Sequence, residues 1–288
     1  MSHLRVFVLT SLAMLAFAGN SLFCRFALKH TSIDAASFTA IRLLSGAAML
    51  WLVVRARSSR QAGRGSWVSA LALFAYAAGF SFAYVNLSVA TGALLLFGAV
   101  QATMIGVGVW RGERLHGPQL VGFLLAVGGL IGLLLPGLSA PPATAAALML
   151  GAGVAWGLYS LRGKGAGDST KVTAGNFLLA VPMALALSLL HMHSVSLDHA
   201  GVLYAIASGA LASALGYAIW YAALPELKAT TAAVVQLCVP VITTLGGLAF
   251  LGEPITTRVM LASGAILGGI ALVVLGARRA VTARRPGV

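Results

Sequence analysis

Tyr76, Phe80 and Tyr84 recur at intervals of four, a spacing that places three rings on one helical face. Ser213, Tyr217 and Tyr221, with Trp220 beside them, repeat that spacing 137 positions later. Trp156 and Tyr159 add two more rings. Asn20, Gln101 and Gln236 are amides inside apolar runs, and a buried amide needs a partner. These residue types recognise rather than react. Ring faces attract an ammonium group by ~0.5–2 kcal/mol per contact, an apolar ring stacks on Tyr or Trp, and amides satisfy either end of an amino acid. The set suits a zwitterionic amino acid or an organic cation. A single such ring is ordinarily helix packing or an interfacial belt; repetition of the set in two places favours the lining of a cavity.

Arg42 lies about two turns inside its apolar run. An intramembrane arginine is expensive and marks function by default, here contact with a substrate carboxylate. The competing reading is structural: snorkelling, or donation to loop carbonyls and to Asp34 two turns away. Arg25, nearer the end of its run, reads as structural.

Reactive chemistry is missing. There is no H-E-x-x-H and no G-x-S-x-G, and "GLYSLRGKG" (Gly157 to Gly165) has the wrong glycine spacing for a P-loop, with Gly165 where Ser or Thr is needed. That stretch reads as a helix end entering a basic loop. Cys24 and Cys238 sit in apolar runs, so neither a disulfide framework nor a metal cluster is indicated. No catalytic residue, metal site or cofactor is expected. The six acids (Asp34, Glu113, Asp168, Asp198, Glu226 and Glu253) and all six histidines fall at predicted helix ends or in loops. Proton-driven carriers usually keep an ionisable group at depth. The expectation is therefore movement down the substrate's own gradient, or a coupling that the residues do not display.

The elements that must hold these residues are membrane spans. Of the 288 residues, 59% are hydrophobic and 9% charged, against roughly a quarter charged in soluble domains. The apolar runs reach the ~20 residues a spanning helix needs, and are too long for barrel strands. Ten helices are predicted, near 6–28, 35–54, 67–88, 92–110, 118–136, 142–162, 172–190, 200–223, 229–251 and 257–277. The first runs past twenty residues without a clear cleavage site and is expected to be retained. The net charge of +13 lies mostly between apolar runs, where it orients a membrane protein rather than binding nucleic acid. With both termini cytoplasmic, fifteen of the nineteen Lys and Arg fall on the inner side.

The chain also repeats. "AVGGLIGLLL" (126–135) returns as "ILGGIALVVL" (266–275), "GERL" (112–115) as "GEPI" (252–255), and Thr91 and Thr103 as Thr231 and Thr243, all at an offset of 140. Upstream the offset is 137: Ala18 answers Ala155, Arg25 answers Arg162, and the ring series answer each other. Two five-helix units follow, 1–137 and 138–288. Five is odd, so the second unit must be inverted, an architecture typical of secondary transporters that work by alternating access. The expected fold is an all-α integral membrane protein of ten transmembrane helices in two inverted repeats.

"AGNSLFCRFAL", "FTAIRLL", "GERL…GFLLAVGGLIGLL" and "GEPI…GAILGGIALVVL" resemble the EamA-type branch of the drug/metabolite transporter superfamily, over essentially the whole chain. Within it the chain is most similar to the bacterial aromatic amino acid and paraquat exporters (the YddG-like group). The resemblance implies export of small metabolites, amino acids or organic cations, across the inner membrane. A channel is the alternative; it would need a continuous polar pore that scattered amides do not make. A membrane enzyme lacks any paired acid or nucleophile–base set. Gly128-x-x-x-Gly132 and Gly264-x-x-x-Gly268 permit close helix approach, either within the chain or across a homodimer.

Overall fold

The computed structural model describes residues 3–57, 63–112, 115, 117–137, 140–163, 167–227 and 235–283, with side chains as far as 276. Every regular element among them is helical. We label α1 His3–His30, α2 Ala35–Ala56, α3 Trp67–Tyr84, α4 Val89–Trp110, α5 Gly117–Leu134, α6 Ala143–Arg162, α7 Ser169–Leu190, α8 His199–Glu226, α9 Cys238–Leu251 and α10 Thr257–Ala283. Nine are long and apolar enough to cross a membrane among the described residues. The exception is α9, at 14 residues, where the sequence predicts a start near 229; positions 228–234 lie outside the described residues. So do Arg60, Glu113, Arg114, Lys164, Arg284 and Arg285.

The few polar residues mark where helices begin. The carboxylate of Asp34 accepts from the Ala36 and Ser37 amides at α2, and Asp168 caps α7 through Thr170 and Lys171. Ser66, Ser88 and Asp198 do the same for α3, α4 and α8. Such caps satisfy amides that a helix start leaves unpaired. Between caps the backbone is internally bonded, as a lipid environment requires. Large apolar side chains therefore face outward without penalty, among them Phe250, Leu261 and Leu203.

α2 packs against α7, α8 and α3; α3 against α6 and α7; α4 against α6 and α9; α1 against α8 and α9; and α5 against α10. Gly209 of α8 lies on the backbone of Arg42 and the hydroxyl of Ser45, leaving no room for a Cβ. The α5–α10 contact removes one of the two readings of the spaced glycines. Gly128, Gly132, Gly264 and Gly268 have nothing near an added Cβ, so they do not pack internally. Gly122 and Gly269 meet backbone to backbone instead, and Gly129 meets Ala265 and Ile266. Within α8, Ala207–Leu215 is π-helical, a run of nine small or apolar residues between two α-helical halves.

Candidate functional site

The four-residue spacing on α3 does stack its rings. Phe80 lies 5.4 Å from Tyr76 and 4.7 Å, edge-on, from Tyr84. α6 brings Trp156 to 4.8 Å from Tyr76, and α8 brings Tyr217 to 5.3 Å from Trp156, nearly parallel at 21°. Tyr159 stacks on the same indole at 5.3 Å. Rings from three helices thus form one connected cluster, and offset or edge-on geometry at these separations is mutually favourable. Tyr76, Phe80, Tyr84 and Tyr217 are each at most 5% exposed. A crevice of about 350 Å³ lies elsewhere, between α1 and α9, with a wholly apolar lining that includes Leu22, Ile242 and Phe250.

A polar thread runs through the rings. Ser208 Oγ donates to Asn20 Oδ1 at 2.6 Å, and Asn20 Nδ2 donates to the Tyr76 hydroxyl at 3.1 Å. Arg42 Nη2 donates to that same hydroxyl at 3.0 Å. The Arg42 guanidinium sits 5.2 Å from the Tyr76 ring centre and 4.9 Å from that of Phe80, within cation–π range. The residue is 2% exposed and its Nη1 has no hydrogen-bond partner. The partners expected for it do not serve it. Asp34 instead accepts from Ala36, Ser37 and the Ser196 amide. Burial works to raise the Asp34 pKa, but the bonds from Ser37, Ser196 and Ala36 outweigh it and hold the carboxyl below the ordinary range.

At the end of the bundle where α3 terminates, Arg25 fulfils its structural expectation. Its Nε donates to Glu253 Oε1 at 2.8 Å, and Nη1 donates to the carbonyls of Tyr84 and Val85 at 2.8 and 2.9 Å. Glu253 Oε2 accepts the Val89 amide at 2.6 Å and so caps α4. Lys29 Nζ lies 3.7 Å from the same carboxylate. Glu253 is at a helix end, as expected, yet it is 7% exposed rather than solvated. At the opposite end, Arg57 donates to Thr170, Arg162 to Ser69, and the Ser66 amide to Asn176.

Of the residues picked from sequence, Asn20, Arg42, Tyr76, Phe80, Tyr84, Trp156, Tyr159 and Tyr217 come together. Ser213 is buried on the π-helical run with an unpartnered hydroxyl, and Tyr221 is half-buried one turn beyond Tyr217. Gln101 lines a narrow crevice between α4, α5 and α10, apart from the rings, and Gln236 is half-buried just before α9. Phe17, Phe177, Ser208 and Asn176 were not foreseen. Phe17 and Phe177 lie 5.7 and 6.2 Å from Tyr217, and Asn176 donates to the Tyr159 hydroxyl at 3.3 Å. Asn176 is an amide in an apolar run like Asn20 and carried the same signal; Ser208 carried none.

Residues 143–275 match the EamA-like transporter family. An uncharacterized Pseudomonas aeruginosa protein is 58% identical over 270 residues, 93% of this chain and 94% of its own. The threonine/homoserine exporter RhtA of Escherichia coli is 30% identical over 126 residues, 43% of each chain. A crystal structure superposes with a TM-score of 0.66, covering 96% of this chain and 100% of its own at 20% identity, a likeness of fold alone.

Proposed function

Because the chain belongs to the EamA-like transporter family and is a multi-pass membrane transporter rather than an enzyme, we propose that it exports small neutral amino acids, aromatic ones among them, by alternating access. The units are 1–137 and 138–288, inverted relative to each other, in the bacterial inner membrane with both termini cytoplasmic. The helix contacts support the repeat. Exchanging the halves maps the α3–α6 contact onto α8–α1 and the α4–α6 contact onto α9–α1, while α2–α7 and α5–α10 map onto themselves. Organic cations fit this site less well, because the Arg42 guanidinium already lies over the Tyr76 and Phe80 rings, and a dimer would use the outward faces of Gly128, Gly132, Gly264 and Gly268.

The observation that carries the reading is the buried ring cluster with its Ser208–Asn20–Tyr76–Arg42 thread. It joins α1, α2 and α3 of the first unit to α6 and α8 of the second. A carrier needs its recognition groups at that junction. A channel needs an open polar path, and rings at most 5% exposed obstruct one. The test is counterflow of labelled amino acids in proteoliposomes. Saturable counterflow that survives a protonophore is expected. Linear, non-saturating flux would replace the carrier with a channel, and loss of counterflow on collapsing the proton gradient would require a coupling site.

A further inference from the structure

Arg42 is a buried cation without a counter-charge. Glu253 pairs with Arg25 and Lys29, and among the described residues no ion pair reaches Arg42. Of its guanidinium nitrogens, Nη2 is spent on the Tyr76 hydroxyl while Nη1 is buried and unpartnered. A guanidinium held in a low-dielectric site without an anion is costly to the fold, and an orphaned charged donor adds its own desolvation penalty. The ring faces of Tyr76 and Phe80 offset part of this, but a quadrupole does not neutralise a full charge. A tie between helices needs no such arrangement, since Nη1 ties nothing.

Tyr76 sharpens the point. Its hydroxyl already accepts from Asn20 and from Arg42, so its own hydrogen remains free to donate. Two donors, Arg42 Nη1–H and Tyr76 O–H, therefore belong to neighbouring groups with one positive charge between them. Two oxygens sharing one negative charge match them, and charge-assisted bonds of this type are the strong ones. Beyond Tyr76, Trp156 and Tyr217 are stacked on each other, and their faces suit something flat or apolar once they part.

We propose that Arg42 and Tyr76 form the subsite for the substrate's carboxylate, with Trp156 and Tyr217 receiving its uncharged side chain. This rests on the exporter reading above and narrows it: substrates carry a carboxylate, and organic cations without one are rejected. The ring cluster is closed around Arg42 in this conformation, so the carboxylate enters as the cluster parts.

The test uses the unaltered, detergent-purified protein and three matched probes: labelled phenylalanine, its carboxamide, in which the carboxylate is an uncharged amide, and phenethylamine, which lacks it. Phenylalanine should bind, and the other two should compete about ten-fold more weakly or worse. Arg42→Gln should weaken phenylalanine about ten-fold while leaving the carboxamide unchanged. Arg42→Lys should recover part of the preference, and Tyr76→Phe should lose a smaller part while keeping the ring. If the carboxamide or the amine competes as well as phenylalanine, the subsite is wrong, and the comparison needs no variant to fold. Absence of binding by phenylalanine and by an aliphatic amino acid such as threonine also overturns it. Carboxylate-selective binding without counterflow in proteoliposomes would leave the subsite standing and remove the exporter reading instead.

Discussion

Arg25 and Glu253, 228 positions apart, meet at 2.8 Å in a nearly dry setting and bind α1, α3, α4 and the turn after α9 into one knot. Removing one partner of a buried ion pair strands the other, at a cost of about 3–5 kcal/mol. Glu253→Ala should lower the unfolding midpoint in detergent markedly, and Glu253→Gln should lower it less, because the amide oxygen can still accept from Val89. Exchanging the two residues should fail to restore stability, since a glutamate at 25 would face the Tyr84 and Val85 carbonyls. Full recovery in the exchanged protein would show that the carbonyl bonds contribute nothing.

Asp34 predicts a pH dependence. Its folded pKa lies below the ordinary carboxylate value of about 3.9, so its contribution is complete above that value. It is lost as pH falls through the lower, folded value. As pH falls below about 4 the unaltered protein should lose stability more steeply than Asp34→Asn, which keeps a neutral capping oxygen. Asp34→Ala should cost about 0.5–2 kcal/mol at neutral pH through the lost cap. Unfolding midpoints across that range, with parallel curves for unaltered protein and Asp34→Asn, would dismiss the assignment.

The two tyrosines at matching positions should act in opposite directions. Tyr84 is wholly buried, pressed against Gly92 and edge-on to Phe80, whereas Tyr221 is half-buried. If inverted halves exchange conformations, Tyr84→Ala should favour outward-open molecules and Tyr221→Ala inward-open ones. A buried ring contributes about 1–3 kcal/mol, enough for roughly a ten-fold shift in a two-state population. Accessibility of an engineered cysteine near Trp156, probed from each side, is the measurement. Shifts in the same direction would reduce both rings to packing.

Topology can be read directly. In a background without Cys24 and the exposed Cys238, His193→Cys should be labelled from the periplasm and Arg55→Cys should not. Periplasmic labelling at position 55 would end the inverted-repeat reading.

Much of the site was visible in the spacing. Rings at 76, 80 and 84 had to share a face, and an amide at 20 had to find a partner, because helical geometry and the cost of an unpaired buried amide leave little choice. Glu253 was harder. A carboxylate just past a helix looks solvated along the chain, and only the return of α9 against α1 supplies the arginine that buries it. The inner face of the glycine helices was not legible for another reason. In α5 and α10 nearly every residue is apolar, so the pattern groups Gly128 with Gly132 but does not say which face looks inward. The neighbours Gly129 and Gly269 took the contact. For Arg42 the chain offers Asp34 as one structural partner, but an acid already committed to its own helix cap is unavailable to it.

The π-helical run of α8 sets a change of backbone register between its two α-helical halves. A π turn accommodates one more residue than an α turn, so drawing Ala207–Leu215 into α spacing would rotate everything after it by about 100°. Gly209 fixes the first half of the joint against the backbone of Arg42, while Tyr217 and Trp220 ride on the second. Most of the run is buried and Ser208 is bonded to Asn20, so such a turn would have to break that bond. A turn of that kind would carry the Tyr217 face off Trp156, while Arg42, on α2, would stay where it stands.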